Sequence, residues 1–504
     1  MRIAIENTKT RVMVGGKDLL VDNNLMDSIR KYMSVKVPGS FFAAKALKYH
    51  WDGMKYFITP GGVMATGFLP TFLKFIAEEY PDLFVEIEDF RGEMPRFKEV
   101  FVDHIGDRVI NEQYIHQKHV IQAYNNYITF RDQKIYFPRG IADAATNAGK
   151  TAVIAGIYLN LEGEQTMLVT IHLKTVYREL LTYFQSVFGE VGQINADNYI
   201  IKPVTLAMIQ TLTRRVEDIN VKKDIAKFSV IAVDEAHRAG SKEYVSALVH
   251  SNAAVRLFVS GSAFDSNDIV AKMIIVGQSG SRLIKVTKKE LMDKGISTPV
   301  KVKMHLCNTI LKKSLLVRPD CMKYMVHESV ERATLMLKIM RERREKGPIL
   351  IAVQEIKHGE FLLKYFDAYA GVSRKGGWDR EFSIELTHSK DKDIIQRIDA
   401  FRTGEIDVLI ATGVIREGVN LPLIQTLIYA AGGESGIYVR QWMGREERVH
   451  ESKTEVEFHD FYDIGKYVQQ NSINRLKIYK AENLPIEMDF DPKDLKKMSS
   501  VVIK

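Results

Sequence analysis

Cysteine is scarce in this chain: its 504 residues hold two, Cys307 and Cys321. They fit no metal-ligand spacing and supply no disulfide framework, which argues against a zinc module or a stapled secreted domain. Two reduced thiols in a cytoplasmic protein are the expectation. Long hydrophobic runs are also missing. No stretch approaches the roughly 20 apolar residues that a membrane span needs. The first residues, MRIAIENTKTRVMVGGKD, alternate apolar and polar side chains and lack the continuous apolar core of a signal peptide. There is no short internal repeat and no low-complexity tract. Hydrophobic content of 46% and charged content of 27% are ordinary for a globular protein. The 71 basic residues exceed the 63 acidic ones by only 8. That excess suits a polyanionic partner without requiring one.

The length exceeds what one hydrophobic core serves, and about three domains are expected. The first hundred residues form one pattern. Strand-like alternation over 2–14 leads through Gly15-Gly16 to a helix near 26–33. A strand at 55–59 closes on Pro60-Gly61-Gly62, and a helix over 69–80 stops at Pro81. From about Gln113, short apolar strands alternate with amphipathic helices, the sign of a parallel sheet covered on both faces. The runs 167–171 and 228–233 are apolar enough for central strands. The alternation pauses after Pro299 and resumes with a helix over 329–346, then strands at 349–353, 408–411 and 426–429. The RERREK sequence ending that helix reads as a solvated last turn whose cations suit the helix dipole.

Two short motifs carry chemistry. Ala144-Ala145-Thr146-Asn147-Ala148-Gly149-Lys150-Thr151 follows an apolar strand and opens a helix over 152–160. In such a loop, backbone N–H groups and the helix N-terminus cradle phosphates. Gly149 permits close approach, Lys150 reaches the β- and γ-phosphates, and the Thr151 hydroxyl ligates Mg²⁺. Ala144 stands where that pattern starts with glycine. The triplet Gly-Lys-Thr or Gly-Lys-Ser alone arises by chance in roughly one such chain in four. The second motif, Asp234-Glu235-Ala236-His237, leaves the carboxyl end of a buried strand, where ligands of parallel sheets bind. Asp234 can hold the metal and Glu235 orient the attacking water. By chance this tetrapeptide occurs in well under about one chain in a hundred.

Together these residues resemble motifs I and II of the superfamily 2 DEAH-box helicases, and the other motifs follow in family order over about 110–480. Gln117 resembles the glutamine that reads adenine. The segments 170–176 and 207–210 resemble those that touch the nucleic-acid backbone. Ser260-Gly261-Ser262 resembles the coupling turn usually written Ser-Ala-Thr. Thr412 and the run from Glu417 and Gly418 to Pro422 resemble motif V. Gln441-Trp442-Met443-Gly444-Arg445-Glu446-Glu447-Arg448 resembles motif VI, whose arginines meet charge developing on the γ-phosphate.

The resemblance implies an α/β protein of two RecA-like domains with parallel sheets, preceded by a small α+β domain. The expected boundaries are 1–105, 106–305, 306–484 and a tail at 485–504. It also implies ATP and Mg²⁺ as ligands. Thr146, Asn147, Ala148, Gly149, Lys150, Thr151, Gln117 and Gly418 would hold the nucleotide, with Thr151 and Asp234 on the metal. Lys150, Asp234, Glu235, His237, Gln441, Arg445 and Arg448 would carry hydrolysis. Lys174, Gln210, Thr387 and Thr412 would lie along a nucleic-acid track.

The segment 45–57 interleaves lysines with aromatics and includes Lys48 and Trp51, a composition that binds phosphates and stacks on bases. From composition alone the favoured reading is a small hairpin core with Trp51 and Phe57 inside and the lysines in solvent. Trp51-Asp52-Gly53, and then Gly67-Phe68-Leu69, are similar to the N-terminal domain of phage UvsW-type helicases. That likeness implies remodelling of branched DNA by fork regression, Holliday-junction migration and R-loop unwinding. Branched or partly single-stranded DNA and RNA–DNA hybrids are then the partners. A monomer in the host cytoplasm is expected, without membrane contact. RNA unwinding and ATP-independent strand annealing are the rival functions. A restriction translocase is a further rival, but Pro81-Asp82 with Glu86-Ile87-Glu88 lacks the lysine of a nuclease core.

Overall fold

The computed structural model describes residues 1–14, 23–40, 51–264, 268–309, 317–374, 377–388, 390–413, 424–434, 438–439, 442–443 and 455–491. The chain divides into two compact units, Met1–Val286 and Thr287–Lys504.

The first unit opens with a four-stranded sheet of β1 (Arg2–Ile5), β2 (Lys9–Met13), β3 (Val63–Ala65) and β4 (Glu86–Asp89), in the order β3-β2-β1-β4. The alternation over 2–14 is thus a hairpin, turned where Glu6 N–H donates to Lys9 O at 3.0 Å. Ile3, Ile5 and Val12 face inward onto Phe68, Phe72 and Ile76, as period-2 patterning requires. The helix Leu69–Glu79 carries Pro70 in its first turn, where a missing N–H costs nothing.

An eight-stranded sheet follows: β5 (Arg139–Ala144), β6 (Met167–Ile171), β7 (Gly192–Ile194), β8 (Tyr199–Ile200), β9 (Val204–Met208), β10 (Val230–Asp234), β11 (Val255–Ser260) and β12 (Arg282–Val286). The order is β8-β7-β9-β6-β10-β11-β5-β12, and every pairing except β7–β8 is parallel. The central strands β6, β9 and β11 are buried at every position. Helices cover both faces, which is why these strands read as continuous apolar runs.

The second unit holds a fully parallel sheet of β13 (Val300–Cys307), β14 (Ile349–Ala352), β15 (Ile384–Thr387), β16 (Val408–Ala411), β17 (Thr426–Tyr429), β18 (Val456–Asp463) and β19 (Ile486–Met488). Their order is β15-β16-β14-β17-β18-β13-β19. Both architectures are RecA-like.

Three sequence expectations change here. The pause after Pro299 is a strand, β13, belonging to the second sheet and lying within the unit that begins at Thr287. The tail expected from 485 begins with β19, which pairs with β13. The RERREK turn is not simply solvated. Arg343 and Lys346 converge with Lys303 on the Glu457 carboxylate, a buried residue of β18. Among the described residues no helix is long and apolar enough to cross a membrane.

Candidate nucleotide-hydrolysis site

The carboxyl ends of three neighbouring strands, β10, β11 and β5, bring the first set of motifs together. β5 runs into the loop 145–149 and then the helix Lys150–Leu159. Gly149 ends that loop in the left-handed region, with φ 75°. A Cβ there would stand 2.2 Å from Gln117 Nε2, so glycine serves both the turn and the fit of Gln117. Asn147 is also left-handed, with φ 70°, a conformation that asparagine tolerates better than most residues. His116 Nε2–H and Gln117 Nε2–H both donate to Ala148 O, at 2.9 and 3.3 Å. Gln117 therefore lies against the phosphate loop. His116, quoted in the sequence only as its neighbour, braces the same carbonyl. Thr146 and Thr151 are half-buried beside it.

β10 delivers Asp234 and Glu235 to the same end. Glu235 sits at φ 53° and ψ 56°, a conformation costly for a residue with a side chain and typical of functional turns. Its Oε1 lies 4.0 Å from Lys150 Nζ, and its N–H donates to Asp234 Oδ1 at 3.0 Å. Burial and the adjoining Glu235 charge push the Asp234 carboxyl up to about 6, against the pull of Lys150. Two carboxylates crowded beside one lysine form an incomplete electrostatic set that a divalent cation would neutralise. His237 Nδ1 lies 3.3 Å from Glu235 Oε2, Ser260 Oγ and Ser262 Oγ. The turn after β11 thereby contacts the DEAH turn directly.

The residues fit a magnesium nucleotide. Gln117 Oε1 and Asn147 Nδ2 are buried without a hydrogen-bond partner among the described residues, and such atoms call for a ligand or water. One is an acceptor and the other a donor. Gly149, Lys150, the loop N–H groups and the helix N-terminus supply a phosphate cradle.

The candidate track residues of this unit occupy the neighbouring strand ends. Lys174 is exposed at the start of the helix Lys174–Phe188, after β6. Gln210 follows β9, and its Nε2 donates to His172 O at 2.9 Å. In the second unit, Thr387 ends β15 and Thr412 follows β16, with Thr412 N–H donating to Thr387 O at 3.2 Å. Thr387 is fully buried, its hydroxyl donating to Asp391 and its carbonyl accepting from Thr412, so it is not open to a strand. Trp51 is half-buried, and its indole N–H is taken by Met54 O at 3.0 Å. Phe57 packs on Phe68. That part of 45–57 is closer to the hairpin-core reading than to an open stacking platform. Lys48, Gly418, Gln441, Arg445 and Arg448 lie outside the described residues. Trp442 and Met443, between them in motif VI, are buried in the second unit's core.

A model described as the type III restriction enzyme res subunit matches residues 112–263, and one described as the helicase conserved C-terminal domain matches 331–450. The Saccharomyces cerevisiae protein named for ATP-dependent helicase activity, IRC3, is 23% identical over 340 residues, 63% of this chain and 47% of that protein. The match thus spans about half the length of that relative. The ATP-dependent DNA helicase uvsW of Enterobacteria phage T4 is 22% identical over 373 residues, 70% of each chain. A fragment of an HsdR subunit of a type I restriction enzyme from Vibrio vulnificus shares the fold. Its TM-score is 0.53 at 13% identity, covering 75% of this chain and 67% of that one. With both domain models matched in order, and the DEAH turn packed against the phosphate loop, the chain belongs to the superfamily 2 helicases.

Proposed function

We propose that this protein is an ATP-driven helicase or translocase that remodels branched DNA. The observation that carries the motor is the meeting of Lys150, Asp234 and Glu235 at the carboxyl ends of β5 and β10, with Lys150 Nζ 4.0 Å from Glu235 Oε1. Lys150, Thr151 and Asp234 hold the phosphates and Mg²⁺, which supplies charge neutralisation on the transferring phosphoryl group. Gln117 Oε1 accepts from the adenine amino group. Glu235 orients the attacking water, and His237 links it to Ser260 and Ser262. The resemblance of 441–448 to motif VI assigns Arg445 and Arg448 a part in hydrolysis, and loss of either should slow it. Lys174 and Gln210 in the first unit and Thr412 in the second are each candidate contacts to a phosphodiester chain, so binding is sequence-tolerant and salt-sensitive.

The likeness to uvsW supports DNA as the track, and the N-terminal sheet and hairpin are the region that would select branched forms. RNA is the second reading, and the motor residues are indifferent to that choice.

ATPase stimulation by a four-way DNA junction, compared with single-stranded DNA, linear duplex and duplex RNA of matched length, tests the reading. Preference for the junction is expected. Equal or greater stimulation by RNA would move the substrate to RNA and leave the motor standing. No stimulation by any of them would refute the motor.

A further inference from the structure

The helix Ile269–Ser279 lies between two parts of the first unit that the site chemistry leaves separate. On one side it meets the DEAH turn. Gln278 Nε2–H donates to Ala239 O at 2.6 Å, two residues after His237. A Cβ at Gly240 would stand 3.0 Å from Ala271. On the other side it meets the N-terminal layer. A Cβ at Gly67 would fall 2.1 Å from Val276 O, and one at Gly277 would fall 2.8 Å from the Phe68 ring. Met273 and Val276 pack onto the core that Ile3, Phe68 and Phe72 form. The last turn is fixed to the sheet because Arg256 Nη1–H donates to Gln278 O at 3.2 Å.

The Gly67 seam is backbone against backbone, and close-packed interiors transmit displacement instead of absorbing it. A shift of the N-terminal layer therefore moves this helix. Gln278 is where the helix holds the DEAH turn by a directional bond. We propose that Gln278 is a positioning residue through which nucleic acid engaged by the N-terminal layer sets the DEAH turn for hydrolysis. The inference rests on the function proposed above and adds a route by which the track governs the ATPase.

The test measures the ATPase of the full chain with and without a four-way junction, alongside Tm. Gln278→Met keeps the side-chain length and removes the donor. Junction-stimulated kcat should fall about fivefold or more, while the KM for ATP, the junction-free rate and Tm hold. Phe68→Leu loosens the seam from the other side; as a core truncation it lowers Tm, but assayed well below Tm it should show the same loss of junction stimulation with the junction-free rate unchanged. In the double variant the losses should not multiply, since both lie on one route. Full stimulation in Gln278→Met overturns the inference. So does a matching fall in the junction-free rate and Tm, or multiplicative losses in the double variant. A wild-type chain that no nucleic acid stimulates would instead remove the proposed function, and this inference with it.

Discussion

Acid should weaken the second unit through His459. This residue of β18 is 1% exposed. Its Nδ1 lies 2.9 Å from His305 Nε2, and its Nε2 lies 3.3 Å from Glu457 Oε2. Burial lowers its pKa from 6.5 to about 4, against the opposing pull of Glu457. The folded chain thus holds a neutral ring that the unfolded chain protonates once the pH falls below 6.5. The unfolded state then binds more protons, so stability is fully present above pH 6.5 and is lost as the pH falls toward 4. A shift of that size corresponds to about 3 kcal/mol. Glu457 acts in a separate window. Burial raises its pKa, but the bond to His459 and the Lys303 and Arg343 charges win and hold it well below 4.5. Its contribution is therefore lost only below that pH. His358, buried beside His327, is also held down and adds to the raw acid slope. The decisive quantity is therefore the difference between wild type and His459→Gln in urea unfolding at pH 7, 5.5 and 4.5. Trp442 fluorescence reports it, since Trp442 packs in the same core as Phe458. Between pH 7 and 4.5 the wild type should lose about 2–3 kcal/mol more than the variant. Equal slopes would refute the reasoning.

Lys150→Ala should lower ATP hydrolysis by about 100-fold or more and abolish unwinding while leaving junction binding in a gel-shift assay; unwinding that survives the change would refute the motor. Gly149→Ala forces a side chain into φ 75° and onto Gln117. At a conformational cost of roughly 1–2 kcal/mol, nucleotide affinity should fall about tenfold in calorimetry, and unchanged affinity would remove Gln117 from the site. Glu434 accepts from Arg318 at 2.6 Å and Asn474 at 2.9 Å, just ahead of motif VI in the chain. Glu434→Gln should cost the second unit up to about 1 kcal/mol in urea unfolding, the charge exchange Arg318→Glu with Glu434→Arg should recover part of it, and an unchanged midpoint would remove the pair from the unit's stability.

The parts of this fold that the sequence discloses are those whose cause is local. β6 and β10 are apolar because both faces are covered, and a strand of that kind announces itself without reference to its neighbours. The phosphate loop and the DEAH turn are legible because chemistry limits which residues can stand at a strand end. Where the cause is a distant partner, the reading fails. β13, Val-Lys-Val-Lys-Met-His-Leu-Cys, alternates as a half-exposed strand would, yet Lys303 is drawn onto Glu457 across the sheet. Nothing near residue 303 names that carboxylate. β19 is three residues long and is a strand because β13 offers an edge, with Val302 N–H donating to Pro485 O just ahead of it. The same division runs through the site. Glycine at 149 is readable as a turn requirement. That it also makes room for Gln117, or that Gln278 reaches the DEAH turn, depends on residues some thirty to forty positions apart. Hydrolysis chemistry is therefore written in short motifs. Its control by the track is written in packing, and substitutions on the helix Ile269–Ser279 should alter coupling before they alter catalysis.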